Sequence, residues 1–219
     1  MISIAEEVKR LVQASPFLEE GLSRGLINYS ALAREMRTEI EATLLKPVSV
    51  SSILMALKRL AEKMQPTFQA RIQSQFLEGS GDMTVRSNLV GFSFVGSSRL
   101  IKHHKRLLDQ LPEQGHYMTM THGVTESTVL VSAHLVDKVE RTFASEEMIQ
   151  KTTDLSALII KFARGAVSTP GIHYPIFLQL AWNNINVIEV ISTYQELILV
   201  MDKGHLNRAF QVLMDFLLR

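Results

Sequence analysis

The chain predicts an α+β fold, a helical amino-terminal module followed by two smaller units of mixed strands and helices, and three observations point to it. Apolar residues recur at helical spacing from residue 3 to residue 64. Beyond residue 67 the apolar runs become short, β-branched and separated by turns rich in Gly, Ser and Asp. The order strand, helix, strand, strand, helix then occurs twice, which makes an internal repeat.

Helices are expected near Ile4 to Ala14, Pro16 to Arg24, Ser30 to Leu44 and Val50 to Met64. Gly25, Asn28-Tyr29-Ser30 and Lys46-Pro47-Val48-Ser49 punctuate them, and Ser49 suits the cap of the fourth. That helix sets Ile53, Leu54, Leu57, Leu60 and Ala61 on one side, and Pro66 marks its exit. The expected domain limits are 1–66 for the helical module, 67–154 for the first mixed unit and 155–219 for the second.

In the first mixed unit, strand Thr67 to Leu77 and the turn Gly79-Ser80-Gly81-Asp82 precede strand Thr84 to Val95. Helix Leu100 to Leu111, strands His116 to Thr121 and Thr128 to Ser132, helix Leu135 to Phe143 and a weaker strand Met148 to Thr153 follow, with Met118, Met120 and Met148 as core filler. The second unit opens on a buried strand, Leu155 to Phe162, and a turn-rich loop, Ala163 to Gly171. Helix Ile172 to Asn183, strands Ile185 to Ser192 and Glu196 to Met201, and helix His205 to Leu218 complete it, the last with Leu206, Phe210, Leu213 and Leu217 in register.

Two motifs in the second unit carry binding chemistry. A loop ending in Ser168-Thr169-Pro170-Gly171 presents hydroxyls and free backbone N–H groups at a helix start, where the dipole favours a carboxylate. Pro170 suits a first helical turn and Gly171 permits close approach to the backbone. The same turn serves equally as a capped βα connection with no ligand. The next strand opens with Asn186 and ends at Ser192-Thr193, polar side chains of the kind that meet an α-amino group or a carboxylate. Lys161, Arg164 and Glu189 are charges near this region, each suited to orienting an amino acid or to facing solvent.

Thr169-Pro170-Gly171 at a helix start, Asn184-Ile185-Asn186-Val187 through Ile191-Ser192-Thr193 on a strand, and the β-α-β-β-α order together resemble an ACT domain. The likeness is to the carboxy-terminal regulatory domains of aspartate kinases, strong for the second unit and weaker for the first. It implies two ferredoxin-like βαββαβ units and an amino-acid effector bound at interfaces between them, with Ser168, Thr169, Gly171, Ile172, Asn186, Val187, Ile188, Ser192 and Thr193 as ligand-binding candidates. It implies that the effector's carboxylate sits on the helix start at Gly171-Ile172, and that the units assemble a homodimer. It also implies insertion of one unit in the other: the second lacks a fourth strand, and 69–77 is the spare one. One departure is visible, since the family pattern Ile-Ser-Thr-Ser-Glu is replaced by Ile191-Ser192-Thr193-Tyr194-Gln195-Glu196. The catalytic part of those enzymes has no counterpart in this sequence.

The helical module contains Ser30-Ala31-Leu32-Ala33-Arg34-Glu35-Met36, a turn, and a helix from Val50, which resemble a helix-turn-helix of winged-helix type. On that resemblance Ser49, Ser51 and Ser52 face a major groove, with Lys58 and Arg59 near phosphates. Charge argues the other way: residues 1–80 hold ten Lys and Arg against nine Asp and Glu, without the basic surplus of a DNA reader. The long connection Thr38 to Pro47 departs from a tight turn as well. DNA binding and a role in dimerisation or partner binding both stand.

Composition excludes other classes. The chain has 219 residues, a net charge of +1, 46% apolar and 21% charged residues, an ordinary balance for a soluble globular protein. The absence of cysteine removes disulfides, thiolate metal sites and cysteine nucleophiles. Glu6, Glu7, Lys9 and Arg10 interrupt any signal-peptide core, and no apolar run reaches membrane-spanning length, so a cytoplasmic protein is expected. His103 and His104 diverge by about 100 degrees on a helix and do not chelate one ion, and His116, His122 and His134 read as surface or satisfied histidines rather than a metal site. No phosphate loop, dinucleotide fingerprint, serine elbow or zinc-protease motif occurs, and no cofactor is implied. The expected function is regulatory and non-enzymatic: an amino acid or similar small effector binds the ACT-like units, and the helical module carries the output. An amino-acid-responsive DNA-binding regulator and a ligand-free dimerisation scaffold are the alternatives.

Overall fold

The computed structural model describes residues 2–64, 82–111 and 115–217. The chain divides into two compact units, Met1–Ser74 and Gln75–Arg219.

Four helices build the first unit: α1 (Ile4–Gln13), α2 (Pro16–Ser23), α3 (Tyr29–Leu44) and α4 (Val50–Lys63). Each starts at a side-chain cap, because Ser3, Ser15, Asn28 and Ser49 accept hydrogen bonds from backbone N–H groups that the first helical turn leaves free. Ser3 and Glu6 form a reciprocal capping box. Val8, Val12, Leu32, Ala33, Met36, Ile40, Ile53 and Leu57 fill the core between the helices. Leu45 turns left-handed at φ 51° to end α3, and the Glu41 carboxylate secures the turn by accepting from Val48 N–H and Arg37 Nε, each at 2.9 Å. Those bonds hold the Glu41 carboxyl below the usual carboxylate range.

The second unit is a six-stranded antiparallel sheet with helices on one face. Its elements are β1 (Met83–Val95), α5 (Leu100–Leu108), β2 (Met118–His122), β3 (Glu126–Ser132), α6 (Val136–Thr142), β4 (Met148–Lys161), α7 (Tyr174–Trp182), β5 (Glu189–Ser192), β6 (Glu196–Asp202) and α8 (Lys203–Leu217). The strand order is β2-β3-β1-β4-β6-β5.

Two long central strands, β1 and β4, organise it. Each is bent in the middle by a non-glycine residue at positive φ, Asn88 at 61° and Asp154 at 57°, and the strands cross with Leu89 paired to Leu155 just beyond both bends. The sequence places a break between Met148 to Thr153 and Leu155 to Phe162; the structure runs straight through as β4, with Asp154 as the bend. Asn and Asp tolerate the left-handed region better than other side chains because their short polar groups bond locally, so each bend costs little. Asn88→Ala should therefore destabilise the protein by about 1–2 kcal/mol while Asn88→Gly stays near neutral. Urea unfolding midpoints check this.

The bends divide the sheet into matching halves. Leu89–Val95 pairs with β3, and Leu155–Lys161 pairs with β6. The β2-β3 and β5-β6 hairpins close alike, Gly123 N–H donating to Glu126 O at 2.8 Å and Thr193 N–H to Glu196 O at 2.9 Å. The fourth strand of the second half is Met83–Arg86, the leading part of β1, which pairs with Ala157–Ile160. Residues 69–77, expected to supply that strand, lie outside the described residues. With β1 on one side and β6 on the other, this part of β4 has both edges occupied.

Alternation puts two cores on the two faces. Val90, Phe92, Phe94, Val129 and Val131 pack under α5 and α6 with Leu100, Leu107, Val139 and Phe143. Leu89, Leu130, Leu155, Ala157, Ile198 and Val200 form a second core on the face away from the helices, flanked by Tyr117, Ile159 and Ile191. The sheet curls over that face until its outer strands meet, Thr121 Oγ1 on β2 donating to Glu189 Oε1 on β5 at 3.3 Å. Met148, expected in the core, is exposed at the first position of β4, where a register shift interrupts its pairing with β1. Among the described residues no helix is long and apolar enough to cross a membrane.

Candidate functional site

The connection from β4 to α7 is the long one. Four residues, 96–99, join β1 to α5 in the first half, while twelve, 162–173, join β4 to α7 in the second. Its path is set by two glycines at positive φ: Gly165 at 93° starts a 3-10 turn, Ala166–Ser168, and Gly171 at 77° redirects the chain into the helix. Backbone bonds hold it, Thr169 N–H to Ala166 O at 2.9 Å and Tyr174 N–H to Gly171 O at 2.9 Å. The sequence reading starts the helix at Ile172, but α7 begins at Tyr174, with Pro175 in its first turn and Ile172 buried beneath it. The residue at the head of α7 is His173, which has no side-chain capping bond. Its ring tilts against Phe162 at 5.5 Å, and burial pushes its pKa down. The reading missed His173, although it lies within the Gly171-Ile172-His173-Tyr174-Pro175 stretch that marks the helix start.

The far end of α7 explains why β5 is short. Asn184 sits at φ 52°, and its N–H donates to Ala181 O at 3.0 Å while Ile185 N–H donates to Leu180 O at 3.0 Å. This is a Schellman ending with Asn in the left-handed place usually held by Gly. Asn186, Val187 and Ile188 therefore belong to the connection, and the strand expected from Ile185 starts at Glu189.

Topology sorts the candidates into two groups. Ser192 and Thr193 end β5 beside the start of β6, at the sheet end where β4 also finishes, and Phe162 N–H donates to Gln195 O across that end at 2.7 Å. Ser168, Thr169, Gly171 and Ile172 follow on the connection that starts there. Asn186, Val187 and Ile188 lie at the opposite end, Ile188 N–H donating to Val200 O at 2.7 Å. Three strand residues, Glu189, Val190 and Ile191, separate Ile188 from Ser192, which sets the groups on the order of 13 Å apart. Asn186, Ile188, Ser192 and Thr193 are all exposed.

Electrostatics single out β5. Burial raises the Glu189 carboxyl above its usual range, opposed by the Thr121 hydrogen bond. Opposite it, burial pushes the Tyr117 hydroxyl up to about 12, with Glu189 and Glu196 adding to the shift. A carboxyl whose folded pKa is raised weakens stability as pH climbs through that pKa, because the unfolded chain ionises first. Glu189→Gln should therefore stabilise the protein at neutral pH, with the advantage fading as pH falls through the raised folded pKa and absent below the ordinary carboxylate value of 4.5. Melting curves of both proteins across pH 3–7 test the sign.

In the helical unit, Ser49 Oγ caps α4 by accepting from Ser52 N–H at 3.1 Å and bonds the Ser51 and Ser52 hydroxyls at 2.9 and 2.7 Å. Ser51, Ser52, Met55, Lys58 and Arg59 are exposed and share one face of α4, opposite Ile53 and Leu57. Among the described residues no group of His, Asp or Glu has the arrangement of a metal site.

No protein-family model and no curated protein matches the sequence. Solved structures do match, and they define a class: the regulatory domains of aspartate kinases, which contain ACT domains. The chain thus has an ACT-like fold. Among the matching structures, the aspartate kinase of Clostridium acetobutylicum superposes with a TM-score of 0.53 at 14% identity, over 64% of this chain and 35% of that one. The ligand-free regulatory subunit of the Thermus thermophilus enzyme gives 0.51 at 13%, over 62% of this chain and 96% of that one. The regulatory subunit from Thermus flavus gives 0.51 at 10%, over 64% and 99%. The chain therefore spans about a third of the Clostridium enzyme and nearly all of the two Thermus subunits.

Proposed function

We propose that this is a non-enzymatic regulatory protein whose two sheet halves are tandem ACT units, and that the second half binds an amino acid or similar small carboxylate. The observation that carries the reading is the twelve-residue connection 162–173, which brings Ser168, Thr169, Gly171 and Ile172 to the sheet end where Ser192 and Thr193 close β5, in a fold shared with aspartate kinase regulatory subunits. The head of α7 at His173 receives the carboxylate, and the neighbouring hydroxyls orient it.

Asn186, Val187 and Ile188 complete the site from a second copy, since one half does not bring both groups to one ligand. Homodimer assembly accords with β5 standing last in the sheet among the described residues, where Ile188 and Val190 are exposed, as is Trp182 at the end of α7. Signal transfer is a population shift, limited by the effector's differential affinity for the two states. Glu189 gives β5 a direct contact with the first half through Thr121, so a ligand that moves β5 is felt there. The helical module carries the output in the cytoplasm, through another protein or through DNA. The exposed stripe Ser51, Ser52, Met55, Lys58 and Arg59 is the surface that favours the DNA alternative.

A melting screen against the amino acids tests the proposal. A ligand at a hundred times its dissociation constant adds about 2.7 kcal/mol and raises the melting temperature by several degrees. Uniform curves across the set favour the ligand-free scaffold.

A further inference from the structure

The first half contains a carboxylate site that is already filled. Glu146, in the turn between α6 and β4, has a side chain only 1% exposed, yet three polar side chains surround its carboxyl. Ser97 Oγ donates to its Oε2 at 2.6 Å, and Arg99 Nε and His103 Nε2 each lie 3.1 Å from its Oε1. These groups come from the β1-α5 connection and the first turn of α5, the counterpart of the connection that holds Ser168 to His173 in the second half. The cradle is itself braced. Arg99 Nη2 donates to Ser145 O at 3.2 Å, Arg99 N–H donates to Ser97 Oγ at 3.2 Å, and the His103 ring packs on Phe143 at 5.6 Å. The Ser97 hydrogen bond, and after it the nearby Arg99 guanidinium, hold the Glu146 carboxyl below its usual range.

We propose that Ser97, Arg99 and His103 form a carboxylate-binding cradle whose occupant is the chain's own Glu146, so that the first half is closed by an internal ligand and admits a free small carboxylate only when that side chain is removed. The chemistry is a built anion site: a guanidinium, an imidazole and a hydroxyl converge on one carboxylate at the head of a nine-residue helix. Deleting the Glu146 carboxylate leaves the donors and a space of matching size, with a cation short of its partner. Combined with the proposed function, on which this corollary rests, the closed first half leaves one effector site per chain.

Acetate rescue tests the cradle on the full chain without any effector, so the outcome is independent of what the second half binds. Melting of wild type, Glu146→Ala and the near-isosteric Glu146→Gln is followed in sodium acetate and in sodium chloride at equal ionic strength. The expected result is a lower melting temperature for Glu146→Ala, raised by about 3 °C or more in 100 mM acetate over chloride, with no acetate-specific change in wild type or Glu146→Gln. Adding Arg99→Ala to Glu146→Ala should abolish the response. If Glu146→Ala does not fold in chloride, its recovery from denaturant in acetate answers the same question. An acetate response equal in all variants, or no response and no acetate-dependent recovery in Glu146→Ala, overturns the inference.

Discussion

Phe94→Ala is expected to lower the unfolding free energy by about 3–5 kcal/mol, the largest effect of any substitution considered. Phe94 is fully buried at the centre of the first core, stacked on Phe143 at 5.0 Å and aligned with Phe92 at 6.3 Å. Three rings in contact leave little freedom for neighbours to close the space, so the cavity term adds to the lost transfer energy. Phe143 also supports the His103 ring that faces Glu146, and the loss should reach the cradle. Hydrogen exchange is the appropriate readout, with protection falling together in β1, β3 and α5. Unchanged exchange in those elements would mean that this stack is not the keystone of the first half.

The second large effect concerns Gly171→Val. Gly171 sits at φ 77°, a region that a β-branched residue enters only with strain of order 1–3 kcal/mol. Relief of that strain moves Ile172 out of its buried place and turns His173 away from the head of α7. Effector binding should fall by more than tenfold while the sheet stays intact, because the connection lies outside the ladder of β4 and β6. Ser192→Ala removes one exposed hydroxyl and should weaken binding only about two- to tenfold, the worth of one hydrogen bond.

What the sequence made legible was local. The helix starts near Ile4, Pro16, Ser30 and Val50 and the Ser49 cap were legible because capping and punctuation act within a few residues, and the core positions of α4 follow from spacing alone. The repeat of strand and helix order is a pattern of composition, and it led to the ACT-like fold. The bend at Asp154 read as a break because Asp in an apolar run signals a turn, and a strand that passes through positive φ has the same signature. The end of α7 was legible within one residue, Asn183 against Trp182, but the late start of β5 at Glu189 was not, since left-handed Asn184 replaces the Gly that usually marks such an ending. Met83–Arg86 as the completing strand was invisible, because register depends on partners far along the chain. Two side-chain contacts between distant parts, Thr121 with Glu189 and Ser97 with Glu146, span 68 and 49 residues and leave no spacing to read.

Titration calorimetry of the full chain with each of the twenty amino acids tests the central claim most directly. Saturable binding by one or a few of them at one molecule per chain, lost in Gly171→Val and retained in Glu146→Gln, is the predicted result. Heats no larger than dilution for all twenty, or binding of unchanged affinity in Gly171→Val, would contradict an effector site at the head of α7.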